Sequence, residues 1–131
     1  MQDTLKIGMA QISPVWLNKE KTLEKIKAHI NKAGDAKCEL VVFGEALLPG
    51  YPFWVSMTHG SEFNSTVQKE LHAHYIKNAI QIEAGELDDI CALAKKNELA
   101  IYLGIIERAK NRGGHSLYCS LVYINAEGEV K

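Results

Sequence analysis

The apolar positions along the chain change period several times, and each change marks an element. LKIGMAQI, residues 5–12, alternates apolar and other residues as a strand does. Ser13-Pro14 breaks the alternation. Asn18 can cap a helix whose apolar positions are Leu23, Ile26, Ile30 and Ala33, with Gly34 as its terminator. Leu40 to Phe43 is a short continuous apolar run, the pattern of a strand buried on both faces. Strand, helix and strand in this order read as a right-handed βαβ unit.

From Gly44 to Asn64 the periodicity disappears, and prolines, glycines and aromatics take its place. A structureless stretch of that length inside a compact domain is usually functional. Ser65 followed by Gln68 is a capping box that opens a helix through roughly Gln81. A second helix is expected from about Glu86 to Asn97, with Leu87, Ile90, Cys91 and Ala94 inward. LAIYLGIIE (99–107) is again a strand, KNRGGH a hairpin-like turn around Gly113-Gly114, and SLYCSLVYI (116–124) its partner. The last residues follow a turn, Asn125 to Gly128, that ought to lead into another strand. Residues 1–131 are therefore expected to be the front part of one larger domain, a mixed α/β structure with helices packed on a sheet.

Composition narrows the function. The 131 residues are 47% hydrophobic and 24% charged, ordinary for a globular domain. The net charge is −1 and the longest basic run is Lys95-Lys96, which argues against nucleic acid or an anionic membrane as the main partner. No stretch approaches the roughly 18 apolar residues of a membrane span, and MQDTLKIGMAQ lacks a signal-peptide pattern. Cys38, Cys91 and Cys119 are scattered without C-x-x-C spacing, so reduced thiols and a cytoplasmic location are expected rather than disulfides or zinc. All three lie in segments that read as buried, where thiols are usually inert. His72 and His74, two apart on a helix, lie on different sides and do not make a metal pair.

The candidate chemistry lies in VVFGEALLPGYPFW, residues 41–54. A buried strand stops, and a carboxylate, Glu45, follows it directly. In open α/β sheets, ligand sites gather at the carboxyl ends of strands because the loops there converge. Apolar walls make a carboxylate hold its proton more tightly, which suits a general base. Tyr51, Phe53 and Trp54 could supply such walls. On this physics alone, a strand-end glutamate is more often a solvated loop residue or a cap.

The segment FGEALLPGYP closely resembles the glutamate motif of the nitrilase, or carbon–nitrogen hydrolase, superfamily. KIGMAQISPV resembles that superfamily's first strand, and LGIIER with SLYCSLVYINAEGEV resembles the strand-turn-strand before its lysine motif. The likeness runs in order from about Lys6 to Lys131. The long segment from Phe53 to Ile82 looks more like the nitrilase branch than the compact amidase branches. Gly44 stands where proline is commoner. Cys119 stands where many members have asparagine, which removes one possible polar contact.

The resemblance implies the N-terminal half of a four-layer αββα sandwich and a Glu-Lys-Cys triad. Glu45 would be the general base that activates a cysteine thiol for attack on a nitrile or amide carbon, with a lysine stabilising the developing charge. The lysine and nucleophile motifs would lie beyond Lys131. Lys131 itself falls before the lysine motif and is read as a surface residue. Tyr51 and Trp54 are candidates to line the substrate pocket, and Glu107-Arg108 is read as a surface ion pair. No cofactor and no metal are implied. The implied partners are a small nitrile or amide, the rest of the domain, and further copies in a dimer or spiral. Two other readings remain open: an amidase or carbamoylase of the same superfamily, or a binding module that keeps the fold without the chemistry. A flavodoxin-like domain would need a phosphate loop after strand one, and SPVWLN does not resemble one.

Overall fold

A computed structural model of the protein describes residues 4–60, 62–110 and 115–131. The expected turn at Gly113-Gly114 lies outside these. The elements run β1 (Ile7–Ala10), α1 (Lys19–Asp35), β2 (Leu40–Phe43), α2 (Trp54–Met57), α3 (Thr66–Asn78), a 3-10 turn (Ile82–Ala84), α4 (Asp88–Asn97), β3 (Ala100–Glu107) and β4 (Tyr118–Ile124). The four strands form one sheet in the order β1-β2-β3-β4. β1, β2 and β3 are parallel, and β4 runs antiparallel to β3. The segments 5–12 and 40–43 are thus neighbouring parallel strands, as expected.

α1 and α4 lie together on one face of this sheet. Asn18 caps α1, its side chain accepting from the Lys21 backbone N–H at 3.0 Å. Ile26, Ile30 and Ala33 of α1 and Ile90 and Ala94 of α4 point at Val41, Phe43, Ile101, Leu103, Ile105, Val122 and Ile124 of the strands, all buried. Each large side chain fully withdrawn from water there contributes about 1.5–3 kcal/mol. The entrance of α1 is tied to that of α4 through Lys19, which pairs with Glu86 at 2.5 Å.

The strand alternation leaves the second face different. Val41 and Phe43 are buried, while Leu40 and Val42 are only half-buried. β2 is therefore covered fully on one face rather than both. On that second face Met9 is 86% exposed and Leu121 67%, with the Tyr102 and Tyr123 rings paired at 4.9 Å between them. The chain thus supplies one helical layer and one sheet with an open apolar face. Among the described residues no helix is long and apolar enough to cross a membrane.

Gly34 does not terminate α1. It lies inside the helix, and Lys37, with φ 57°, makes the left-handed turn that follows. The reason for glycine is α4: a Cβ at residue 34 would stand 2.1 Å from Asn97 Oδ1. Asn97 in turn donates to Leu93 O at 2.9 Å and to Asn31 Oδ1 at 3.3 Å. The helix after Ser65 also ends earlier than expected, at Asn78, because Ile80 leaves it to bridge with Glu107 of β3. Gly34→Ala alone is expected to lower stability in urea denaturation. In an Asn97→Ala background the same change should cost less stability, because the Oδ1 and Cγ approaches are gone and only the 3.0 Å approach of the residue 97 Cβ remains.

Candidate active site

Val42 of β2 pairs with Tyr102, and the next pairing between these two stretches is Leu48 with Ile105. Six steps on one side thus match three on the other, and the surplus residues arch out of the sheet. Glu45 sits at the top of this arch. The arch lies on Gly104: a Cβ there would be 2.2 Å from Gly44 O and 2.8 Å from Glu45 Cα. No other residue fits that position without moving the backbone. Past the arch the chain re-enters the sheet, Ile106 N–H donating to Leu48 O at 2.8 Å. Ala46, with φ 49°, turns the backbone back, and its side chain is buried.

The Pro-Gly-Tyr stretch then anchors the arch from behind. Leu17 N–H donates to Pro49 O at 3.0 Å, and Tyr75 O–H donates to Gly50 O at 2.8 Å. Trp16 Nε1–H donates to Tyr51 O at 2.9 Å. Gly50 has φ 129°, and a Cβ on it would strike the Trp16 ring at 2.6 Å. Burial pushes the Tyr75 phenol far above its ordinary value, with Cys119 and Tyr51 adding to the effect. It therefore remains a hydrogen-bond donor at any physiological pH.

Glu45 is exposed and lines a cavity of about 280 Å³ with Gly104, Cys119, Ser120 and Leu121. The Cys119 thiol donates to Glu45 Oε1 at 3.4 Å. Cys119 is not the buried strand cysteine that its surroundings in the sequence suggest. It is exposed on the open face of the sheet, where its register partner is Ile106. Packing around the sulfur, and then the hydrogen bond and charge of Glu45, push the thiol above its ordinary value, while the Ala46 backbone opposes this. The polar contact that an asparagine would have offered is replaced by a weak S–H donor.

Cys119 also lines a second cavity of about 280 Å³, with Pro52, Trp54, Val55, His72, Tyr75, Ile106, Leu117 and Tyr118. Trp54 stands at its wall and is only 6% exposed, packed edge-on against Tyr75 at 6.0 Å. So Trp54 is both a small-core residue and a cavity wall. Tyr51 lines neither cavity; its ring rests on Phe53 at 5.1 Å, and both residues are exposed. The walls around Glu45 therefore come from β3 and β4, not from the aromatics that follow it in sequence. Periodicity and motif spacing did not single out His72, Tyr75, Leu117 or Tyr118 as cavity residues. The alternation of β4 is the signal that would have placed Cys119 and Leu121 on the face of Glu45.

The remaining candidates fall elsewhere. Glu107 does not pair with Arg108; it accepts from Ser120 Oγ at 2.6 Å, while Arg108 Nε is buried without a partner among the described residues. Lys131 is on the surface, paired with Glu129 at 2.7 Å. Cys38 and Cys91 are half-buried and away from Glu45, and burial raises the Cys91 thiol. His74 Nε2 contacts Leu17 O at 3.1 Å, whereas His72 faces Trp54. Among the described residues no three His, Cys, Asp or Glu side chains converge on a metal position.

The model of one family, carbon-nitrogen hydrolase, matches residues 6–131. The chain belongs to the carbon–nitrogen hydrolase family. It is 33% identical over 124 residues to a protein named nitrilase 2 from an unknown prokaryotic organism, covering 95% of this chain and 38% of that protein. It is 33% identical over 127 residues to an arylacetonitrilase of Hypocrea virens, covering 97% of this chain and 35% of that protein. The chain thus spans little more than a third of the length of these relatives. An amidase from a Nesterenkonia species has a similar fold, with a TM-score of 0.63 at 16% identity over 97% of this chain and 40% of that one. The NitFhit protein of C. elegans has a TM-score of 0.58 at 17% identity, over 96% of this chain and 26% of that one. The expected fold class, the first part of a nitrilase-like α/β domain, is the one observed.

Neutralising Glu45 should act on its neighbour. Glu45→Gln removes the charge that holds the Cys119 proton, so more thiolate forms at a given pH. Labelling of Cys119 by a disulfide reagent at pH 8, followed by peptide-resolved mass spectrometry, is expected to speed up about two- to fivefold.

Proposed function

We propose that the protein carrying this chain is a nitrilase, which hydrolyses a nitrile to a carboxylic acid and ammonia with Glu45 as general base. The observation that carries the reading is Glu45 itself. A family-wide match surrounds it, and the arch over Gly104 holds its carboxylate in a cavity at the carboxyl end of a parallel strand.

In this reading Glu45 accepts the proton of a cysteine thiol as the sulfur attacks the nitrile carbon. The proton passes to the nitrogen, giving a thioimidate. Water then adds, ammonia leaves, and a second water releases the acid from the thioester. Among the described residues, those lining the two cavities include no lysine or arginine. The cation that stabilises the developing charge, and the nucleophile, are assigned to parts of the protein outside residues 1–131. Cys119 is not that nucleophile: its thiol is held protonated by packing and by Glu45. A variant of the Nesterenkonia amidase, which shares the fold, carries the acetamide moiety of fluoroacetamide on its active site cysteine, in keeping with covalent chemistry on this scaffold.

The substrate side chain is assigned to the cavity beside Trp54. Its walls of Trp54, Tyr75, Tyr118, Ile106 and Leu117 suit an aromatic substituent, and several relatives are named arylacetonitrilases. Tyr51 is assigned a supporting part, through the backbone carbonyl that Trp16 holds. A cytoplasmic, homo-oligomeric enzyme belongs to the same reading. Its three thiols are free, and its open sheet face and residues such as Phe63, 97% exposed, leave apolar surface for a partner.

Ammonia release from nitriles and amides by the full-length protein tests the reading. Glu45→Gln should lower kcat by about 10²–10⁴-fold with unchanged circular dichroism; near-normal turnover would remove Glu45 as base. Residues 1–131 alone should show no turnover. Trp54→Phe is expected to raise KM for an arylacetonitrile severalfold while leaving that of a short aliphatic nitrile unchanged.

A further inference from the structure

Glu45 belongs to an exposed arch, and a carboxylate on such a segment can rotate. Among the hydrogen bonds of the described residues, its side chain has one, from the Cys119 thiol to Oε1 at 3.4 Å. The thiol reaches it from β4, a different element from the arch. β4 is pinned to β3 by continuous pairing from Ile101 with Ile124 to Glu107 with Tyr118. The neighbouring Ser120 is fixed as well, its hydroxyl donating to Glu107 at 2.6 Å. Cys119 is therefore a donor on a fixed stretch of backbone, aimed at a rotatable group, and it lines both the cavity of Glu45 and the cavity of Trp54.

We propose that Cys119 is a positioning residue for Glu45: its S–H holds Oε1, and Oε2 is left to take the proton in the reaction. This rests on the reading of Glu45 as the general base. A thiol suits the task because it is a weak donor. It orients the carboxylate through a single S–H contact to Oε1 and leaves Oε2 open. The raised proton affinity of the thiol supports this direction of donation. Other titratable groups around the pair are few. Tyr118 comes from β4, His72 and Tyr75 from α3, Tyr51 from the loop, and Glu107 from β3, held by Ser120. Among the hydrogen bonds of the described residues the donor on Oε1 is the Cys119 thiol, so that thiol fixes the orientation of the carboxylate.

Two measurements on the full-length protein test the proposal. The first needs no substrate. The infrared S–H stretch that disappears in Cys119→Ala should lie at the lower frequency of a hydrogen-bonded thiol, and should move up in Glu45→Ala. The second is kcat/KM against pH. Cys119→Ala removes the donor, so the acid limb should move up by about half a pH unit, roughly a threefold loss below the limb. Cys119→Asn supplies a stronger N–H donor, so the limb should move down. Opposite shifts separate donor strength from side-chain bulk, and repeating the profiles in His72→Gln removes any limb due to that imidazole. Shifts of the same sign, unmoved limbs, or an S–H band indifferent to Glu45→Ala would each overturn the positioning role. A wild-type protein inactive on nitriles and amides, with the S–H band still responding to Glu45, would overturn the reading of the site, and the positioning role with it, while leaving the contact intact.

Discussion

Gly104 has no side chain because another stretch of backbone occupies its place. The chain leaving β2 has to clear the sheet, present Glu45 and re-enter beside β3, and it does so by resting on the bare Cα of residue 104. A close approach of two backbones leaves little room for adjustment, since interiors are packed as densely as organic crystals. The position of Glu45 thus follows from β3, the strand with the largest share of fully buried side chains, rather than from its own exposed loop. A site that must hold a reacting group to within fractions of an ångström is better built on such a strand than on a loop.

The region behind the arch is arranged to keep it there. The Pro49–Tyr51 backbone is grasped by three donors from two other parts of the chain, the Trp16 indole, the Leu17 amide and the Tyr75 hydroxyl. Leu17, Ala46, Trp54, Tyr75, Ala79 and Ile106 form a small core of their own beneath it. This cluster lies on the opposite side of the sheet from the main core under α1 and α4. α3 thereby has a structural purpose despite burying a single residue, Tyr75, out of thirteen. It brings the ring that closes the small core and the hydroxyl that holds Gly50.

Much of this architecture is legible in the order of the amino acids. Apolar alternation marks β1 and β3, Asn18 marks the start of α1, and the carboxylate after Phe43 stands out as the chemical feature. What periodicity does not carry is the effect of long-range contact. Gly34 looks like a helix stop because glycine usually is one there, yet its reason is the side chain of Asn97 in a helix more than 60 residues away. Cys119 looks buried because its neighbours are apolar, but β4 shows one face to the helices and the other to Glu45, and only the register decides which. Tyr51 and Phe53 follow Glu45 closely in sequence, but the turn at Gly50 sends their rings elsewhere. The pairing of Glu107 with Ser120 instead of Arg108 has the same origin: a cross-strand partner is nearer than a chain neighbour.

β3 carries two kinds of information in alternate residues. Ile101, Leu103 and Ile105 point at the helices and hold the fold together, while Tyr102, Gly104 and Ile106 point at the face where Glu45 stands. The strand is therefore a place where selection for foldedness and selection for chemistry act on interleaved positions without competing for any one of them. A lineage drifting toward a new substrate could rewrite the second set and leave the first untouched. Gly104 is the exception, because it belongs to both sets at once, and it sets the limit on how far such drift can go.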